Sequence, residues 1–153
     1  MELRARDIMI QDYKTVYSDA PVSEAIRLIF EGRVRATGYK PFGIMVVDHI
    51  GRLMGMVSMF DILYHLRPPF MNYELQSLGI SEGELEPHLG HFKSLRVEQV
   101  MNTPVVTIPP DEELMVIIDL MAKKRVRRLP VVEGDQILGI VYISDVFRHL
   151  CET

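Results

Sequence analysis

The seven residues GMVSMFD at positions 55–61 recur as GIVYISD at positions 139–145, 84 residues further along the chain. A second match lies 92 residues apart and joins the triplet RVR at 33–35 to the RVR at 125–127. Internal repeats of this kind are typical of folds built from copies of one supersecondary unit. The sequence therefore predicts a chain made of two related halves.

The two offsets define the extent of each copy. The first copy covers residues 4–66 and the second covers residues 95–150, and residues 67–94 form a linker with a single weak helical turn. The drop in offset from 92 to 84 places an eight-residue surplus in the first copy, at residues 36–43. A unit of about 60 residues buries too little apolar surface to be comfortably stable alone. We therefore expect the two copies to pack together.

Each copy has the same pattern of predicted elements, in the order β-α-β-β-α of an α/β protein. Apolar residues at spacings of three and four predict a helix in each copy, with one stripe facing the core. Two apolar runs separated by turn residues predict a hairpin after each of these helices. The expected features are short first strands at residues 14–16 and 105–108, helix N-caps at Asp19 and Asp111, and closing helices at residues 61–66 and 145–150.

The composition limits the class of protein. The chain has 153 residues, of which 48% are hydrophobic and 25% are charged, and these are ordinary values for a globular protein. A single cysteine, Cys151, cannot form an internal disulfide, which favours a reducing, cytoplasmic location. The N-terminus lacks a signal-peptide pattern and no apolar run is long enough to span a membrane. A net charge of −4 argues against a protein that coats nucleic acid.

Two motifs carry polar chemistry. Ser58 and Asp61 are three residues apart where a strand becomes a helix, a place where backbone amides and a hydroxyl can bind phosphate and a carboxylate can accept from a ribose. A plain helix cap is the alternative interpretation of this pair. Five of the six residues at 123–128 are basic, either as a solvated face or as donors for an anion. Met56, beside the first motif, is a candidate contact for an adenine ring. No catalytic or metal-binding pattern is visible.

The repeat resembles the cystathionine β-synthase (CBS) domain family. The resemblance rests on TIPPD at 107–111, RLPVV at 128–132 and GIV at 139–141 in the second copy, and on the serine form of the terminal motif in the first. It implies one pseudo-two-fold module with two clefts that bind adenosine-containing ligands such as AMP, ADP, ATP or S-adenosylmethionine.

The resemblance also implies which residues line each cleft. The terminal motif of one repeat would face the strands of the other. The first cleft would use Ser58, Asp61, Arg35, Asn102, Val106, Arg127 and Arg128. The second would use Ser144, Asp145, Arg127, Arg128 and Lys14. Tyr142 stands where the family usually has a small hydroxyl residue and would fill or reshape the second cleft, so the first cleft is the favoured site.

The expected function is that of a stand-alone cytoplasmic regulatory module, without enzymatic activity, that binds an adenosine ligand and signals to an unidentified effector protein. A homodimer is expected through apolar positions of the closing helices, namely Ile62, Leu63, Leu66, Val146, Phe147 and Leu150. Two alternatives remain. One is a structural interaction module with non-binding clefts, and the other is nucleic-acid binding through the basic turn at residues 123–128.

Overall fold

The computed structural model describes residues 2–32, 42–67 and 82–152. The predicted α/β organisation is confirmed. The first half contains α1 (Ala5–Ile8), β1 (Thr15–Tyr17), α2 (Val22–Phe30), β2 (Gly43–Val47), β3 (Leu53–Ser58) and α3 (Met59–Leu66). The rest contains α4 (Glu82–Ser94), a 3₁₀ turn (Val97–Gln99), α5 (Leu114–Lys124), β4 (Arg128–Glu133), β5 (Gln136–Tyr142) and α6 (Ile143–Glu152).

An antiparallel hairpin lies at the centre of each repeat. β2 pairs with β3 and β4 pairs with β5, and the register shifts at the equivalent points Val46/Val47 and Val131/Val132. Gly51 and Gly134 occupy the turns with positive φ angles of 88° and 61°, a conformation that glycine adopts without steric cost. Both predicted hairpins are therefore confirmed. β1 adds to the first sheet in parallel with β2.

The predicted strand at residues 105–108 is wrong for most of its length. Only Ile108 pairs with the second sheet, through a single parallel bridge to Val131. Pro109 and Pro110 follow at once, and proline has no N–H to continue a ladder. The prolines therefore end the pairing at Ile108, and residues 105–107 before it form no strand.

The predicted N-caps at Asp19 and Asp111 are also wrong. The cap positions of α2 and α5 are Pro21 and Glu113, and neither makes a side-chain capping hydrogen bond. Asp19 lies before the cap, and its carboxylate contacts Nε2 of His49 at 2.8 Å instead. This pairing lowers the pKa of Asp19 below its ordinary value, chiefly through the hydrogen bond with His49.

The predicted apolar stripes are confirmed. Val22, Ala25 and Ile29 of α2 are buried in the first core, and Ile117 and Met121 of α5 are buried in the second. Each helix thus covers its own hairpin with the face that the three-and-four spacing defines.

The linker contains more regular structure than the sequence predicts. Residues 82–94 form the 13-residue helix α4 rather than one weak turn, even though Pro87 and Gly90 lie within it. Phe92 explains this outcome, because its side chain is only 2% exposed and belongs to the first core. Tertiary burial of one aromatic side chain overrides the weak helix propensity of the segment. The prolines and glycine predicted to break residues 68–81 lie outside the described residues.

The opening segments of the two repeats are exchanged. Ala5 and Ile8 of α1 are buried in the core of the second repeat. Val97 and Val100, which open the second repeat in sequence, are buried in the core of the first. Each hydrophobic core is therefore completed by residues from the other half of the chain, and the sequence repeats do not coincide with the packed units at these ends.

Two pseudo-equivalent backbone bridges accompany the exchange. Asn102 pairs with Met56 of β3, with N–H···O distances of 2.8 and 3.1 Å, and Ile10 pairs with Ile140 of β5 at 2.8 and 3.0 Å. Met45, Met56 and Ile140 form a third buried cluster shared by both repeats. The two halves consequently behave as one packed body.

Glycines at 55 and 139 allow this close approach. A Cβ atom at Gly55 would lie 2.8 Å from the carbonyl oxygen of Asn102 and 2.7 Å from Sδ of Met101. A Cβ atom at Gly139 would lie 2.9 Å from the carbonyl oxygen of Ile10. Contacts this short with backbone oxygen exclude a side chain at either position.

We expect Gly55→Ala to lower the free energy of unfolding by roughly 1–3 kcal/mol, because the added methyl group forces the bridge at Asn102 apart. Gly90→Ala is the matched control, since it lies in α4 with nothing within 4 Å of the new Cβ. It should stabilise the protein by up to about 1 kcal/mol through helix propensity. Urea denaturation measures both changes. Equal effects of the two substitutions would contradict the packing described at Gly55.

Candidate ligand cleft

A cavity of about 710 Å³ opens between the two repeats. One wall is the end of β3 with the start of α3, and the other is formed by residues 102–106 and 125–128. Seven of the residues proposed from sequence line it: Met56, Ser58, Asp61, Asn102, Val106, Arg127 and Arg128. The exchanged segment that carries Asn102 is what brings the second wall against the first.

Ser58 and Asp61 form a capping box at the start of α3. The Asp61 carboxylate oxygen Oδ2 accepts from the backbone N–H of Ser58 at 2.7 Å and from its hydroxyl at 2.8 Å. The backbone N–H of Asp61 donates in return to Oγ of Ser58 at 3.2 Å. The pair therefore does cap α3, as the alternative interpretation predicted. The same two side chains also line the cavity, so capping holds them rigidly in a wall of the cleft.

The second carboxylate oxygen of Asp61 contacts the opposite repeat. Its Oδ1 atom accepts a hydrogen bond from Nδ2 of Asn102. Asn102 is itself fixed by its backbone bridge to Met56. The carboxylate is thereby oriented by both of its oxygens, one within its own helix and one across the cleft.

Arg128 is the cation that the fold buries most tightly in this wall. Its Nε atom is buried and has no hydrogen-bond partner among the described residues. The guanidinium packs against Gly43, where a Cβ atom would lie 2.8 Å from Cζ of Arg128. Burial lowers the pKa of Arg128 below its ordinary value, while nearby Tyr142 and Asp61 act in the opposite direction. A guanidinium remains protonated in proteins, so the cleft contains a partly desolvated positive charge.

Three of the other basic residues of the cluster differ in where their side chains lie. Arg125 and Arg127 line the cavity with exposed side chains, and Cζ of Arg127 lies 6.0 Å from the centre of the Phe60 ring. Lys123 instead pairs with Asp119 on α5 at 3.1 Å. Residues 123–128 are therefore not one continuous basic face.

Arg125 also lines the cavity, as one of the candidate anion donors at residues 123–128. Seven lining residues were missed by the sequence reasoning, and all are apolar: Phe42, Met59, Phe60, Leu63, Pro104, Val105 and Val126. The sequence does contain an indication for Phe60 and Leu63. Both are apolar residues of α3 that lie outside the face through which Ile62 and Leu66 pack on the core, so they are free to line a cavity. Phe60 is 71% exposed, which is unusual for so large an apolar side chain.

The residues proposed for the second cleft are not brought together in the same way. Arg127 and Arg128 line the first cavity, and Lys14 is exposed. Tyr142 is half-buried against the cluster shared by both repeats. Its backbone N–H donates to Oδ2 of Asp145 at 3.2 Å.

Asp145 is only 5% exposed and borders a smaller cavity of about 250 Å³, which none of Lys14, Tyr142 and Ser144 lines. The residues proposed for the second cleft therefore do not share one cavity. The smaller cavity is lined instead by Asp7, Ile8, Met9, Ile10, Asp145, Arg148, His149 and Glu152. Arg35, proposed for the first cleft, lies outside the described residues.

Within residues 2–32, 42–67 and 82–152, no group of three or more His, Cys, Asp or Glu side chains has the geometry to hold a metal ion. Among the helices described, none combines the length and apolar character needed to cross a membrane.

Comparison with known proteins identifies the family. The CBS domain model matches residues 5–68 and 97–152, so the chain belongs to the CBS domain family and carries two CBS domains in tandem. The crystal structure of the CBS domain of a CBS domain-containing membrane protein from Sphaerobacter thermophilus superposes with a TM-score of 0.71 at 28% identity, covering 96% of this chain and 87% of that one.

Two further proteins are similar over nearly the whole chain. Human 5′-AMP-activated protein kinase subunit gamma-3 is 28% identical over 141 residues, which is 92% of this chain and 25% of that subunit. This chain thus spans a quarter of the length of that relative. The crystal structure of CBSX2 in complex with AMP has the same fold, with a TM-score of 0.70 at 22% identity, covering 97% and 96% of the two chains.

We expect Arg128→Met to leave the free energy of unfolding unchanged or to raise it by about 1 kcal/mol, since methionine keeps the packing of the stem and removes a buried charge without a partner at Nε. Arg127→Met, at an exposed position, should change stability by less than about 0.5 kcal/mol. Thermal and urea denaturation of the ligand-free protein would measure both. A loss above about 1 kcal/mol for Arg128→Met would mean that its guanidinium stabilises the fold itself.

Proposed function

We propose that this protein is a regulatory module that binds an adenosine phosphate in the cleft between its two CBS domains. The observation that carries the proposal is Arg128, a half-buried guanidinium whose Nε atom has no partner among the described residues and which faces a cavity large enough for a nucleotide. A desolvated cation in a cleft is stabilised when an anion binds beside it. A phosphate group supplies that anion.

The other walls of the cleft suit the rest of a nucleotide. Asp61 offers carboxylate lone pairs to the hydroxyl groups of a ribose, and the start of α3 presents backbone amides. Met56 and Val106 offer apolar surface for the flat face of an adenine ring. The ligand would lie with its phosphate towards Arg127 and Arg128.

The charge balance of the cleft favours a phosphate ligand over S-adenosylmethionine. Three arginines, at 125, 127 and 128, line the cavity against one carboxylate, Asp61. The sulfonium of S-adenosylmethionine would add a further positive charge to this wall, and like charges at close range are unfavourable. AMP, ADP and ATP are therefore the preferred candidates.

The similar proteins support this assignment. One relative is named as a subunit of a 5′-AMP-activated protein kinase, and a protein of the same fold has been crystallised with AMP. We accordingly infer a sensing role without a reaction of its own. Binding would change the relative positions of the two repeats, and a partner protein would respond to that change.

The experiment is calorimetric titration with AMP, ADP, ATP and S-adenosylmethionine. We expect at least one adenosine phosphate to bind at sub-millimolar concentration, and S-adenosylmethionine to bind at least about tenfold more weakly. Arg128→Met should lower the affinity for the adenosine phosphate by about 10- to 100-fold, because it removes a charge-assisted hydrogen bond to the phosphate group. Asp61→Asn should lower this affinity as well, whereas the matched variant Asp145→Asn should leave it unchanged.

Each part of the proposal can fail separately. Absence of binding by every ligand would refute the nucleotide site and support the alternative of a structural interaction module with non-binding clefts. Loss of binding in Asp145→Asn but not in Asp61→Asn would move the site to the other cleft. Thermal unfolding of each ligand-free variant shows whether a loss of binding reflects a loss of folding.

We also propose that the protein forms a homodimer through its closing helices. The face differs from the one predicted, because Ile62, Leu66 and Val146 pack on the cores. The exposed apolar side chains are Phe60, Leu63 and Tyr64 on α3 and Ile143, Phe147 and Leu150 on α6. The two helices are pseudo-equivalent elements of the two repeats, and a pair of apolar faces related by approximate two-fold symmetry suits a second copy of the same chain.

Phe147→Asp should shift the protein from dimer to monomer, because a carboxylate cannot be buried in an apolar interface without a partner. Phe147 is 59% exposed in the monomer, so the substitution leaves the fold intact. Ile50→Asp is the control, since Ile50 is 75% exposed in the turn between β2 and β3. Sedimentation velocity over a range of concentrations measures the effect. A monomeric parent protein would exclude the dimer.

A further inference from the structure

Arg125 has a backbone conformation that is rare for its residue type. It ends α5 with φ = 55° and ψ = 41°, in the left-handed region. Among the described residues it is the one residue other than glycine with a positive φ angle. A Cβ atom is disfavoured in this conformation, and helices commonly end in glycine at such a position. The chain therefore has an arginine where glycine would be less strained.

The helix dipole gives only a partial reason for the arginine. A positive charge near the C-terminus of a helix is favourable, but Lys123 and Lys124 already supply two in the last turn of α5. Arg125 also stabilises no other part of the fold through its charge, because it makes no hydrogen bond or ion pair with the described residues. A strained residue without a structural partner is typical of functional sites.

The side chain of Arg125 lines the same cavity as Arg127 and Arg128. The three guanidinium groups differ in how far they are buried. The Nε atom of Arg128 is buried, whereas the side chains of Arg125 and Arg127 are exposed. The cationic wall of the cavity therefore includes a part that faces solvent, and Arg125 lies in that part.

Three arginines exceed what a single phosphate group needs. A monophosphate carries about two negative charges at neutral pH, which Arg127 and Arg128 together neutralise. One forked guanidinium can also bind two of its three terminal oxygens. Arg125 then adds a third positive charge for which a monophosphate has no further anion. A diphosphate or triphosphate supplies that anion, on a phosphate group farther from the ribose.

We infer that Arg125 is a specificity-determining residue that binds the outer phosphate groups of a nucleotide, so that this cleft prefers ADP and ATP over AMP. The inference rests on the proposed function and deepens it, because it concerns the number of phosphate groups on the ligand. Charge-assisted hydrogen bonds from Arg125 to phosphate oxygens would offset the strain of its left-handed backbone.

The test is calorimetric titration of the full chain with AMP, ADP and ATP, without divalent cations that would shield the phosphate groups. We expect the parent protein to bind ADP and ATP at least about fivefold more tightly than AMP, a modest factor because water screens an exposed arginine. Arg125→Gly removes the guanidinium and keeps the left-handed turn. In this variant the ratio should fall to within about twofold, mainly through weaker binding of ADP and ATP.

Two controls separate phosphate recognition from general effects. Lys124→Gln removes one positive charge from the neighbouring residue, which does not line the cavity, and should leave the ratio unchanged. Arg125→Gly should raise the melting temperature of the ligand-free protein by about 1–4 °C, because glycine relieves the strain. A lower melting temperature would instead show that Arg125 is retained for stability, which contradicts the inference.

The results can overturn the inference without removing the nucleotide site. This follows if the parent protein binds AMP as tightly as ATP, or if the ratio survives Arg125→Gly. An equal loss of affinity for all three nucleotides in Arg125→Gly would also overturn it, since Arg125 would then contact the first phosphate group. Failure of every nucleotide to bind the parent protein would refute the proposed function and this inference together.

Discussion

The close approach of backbone at Gly55 and Gly139 is the constraint on which the rest of the structure depends. At each glycine, a segment from the other half of the chain pairs with the strand and leaves no space for a side chain. These bridges lock the exchanged segments in place, and the exchanged segments complete the two hydrophobic cores. The cleft follows from the same contact, because the segment that pairs at Gly55 continues as one wall of the cavity. Packing and binding surface are thus produced by one backbone arrangement.

A symmetric backbone can still carry an asymmetric function. The N–H···O distances of the two bridges are nearly equal, yet one bridge carries Asn102, whose amide donates to Asp61, and the other carries Ile10, whose side chain has no hydrogen-bonding group. The terminal motifs of the two repeats also differ. The first has the small hydroxyl residue Ser58, and the second has the half-buried aromatic residue Tyr142 at the equivalent position. Differences of side chain on a repeated scaffold are therefore sufficient to give the two cavities different linings.

Local patterns in the sequence predicted the parts of the structure that depend on local forces. The hairpins and the apolar faces of α2 and α5 follow from spacing and turn residues, and the capping box at Ser58 follows from a pair three residues apart. The errors arise where a distant partner decides the outcome. Asp19 is paired by His49 instead of capping a helix, and α4 forms because Phe92 reaches the first core. The exchange of the opening segments has no local signature at all, which is why the roles of Phe42 and Pro104 in the cleft could not be anticipated.

The exchange of opening segments also has a consequence for how the chain reaches its folded state. Ile10 pairs with Ile140, which is 130 positions later in the sequence. Such contacts can form only after a large loop has closed, so they raise the contact order and slow folding. The first core is likewise incomplete until Val97 and Val100 have been synthesised. The residues of α1 can pack only after β5 and α6 are present, because they belong to the second core. During synthesis the first core therefore cannot be completed before Val97 and Val100 have emerged, and the second core draws on α1 from the opposite end of the chain.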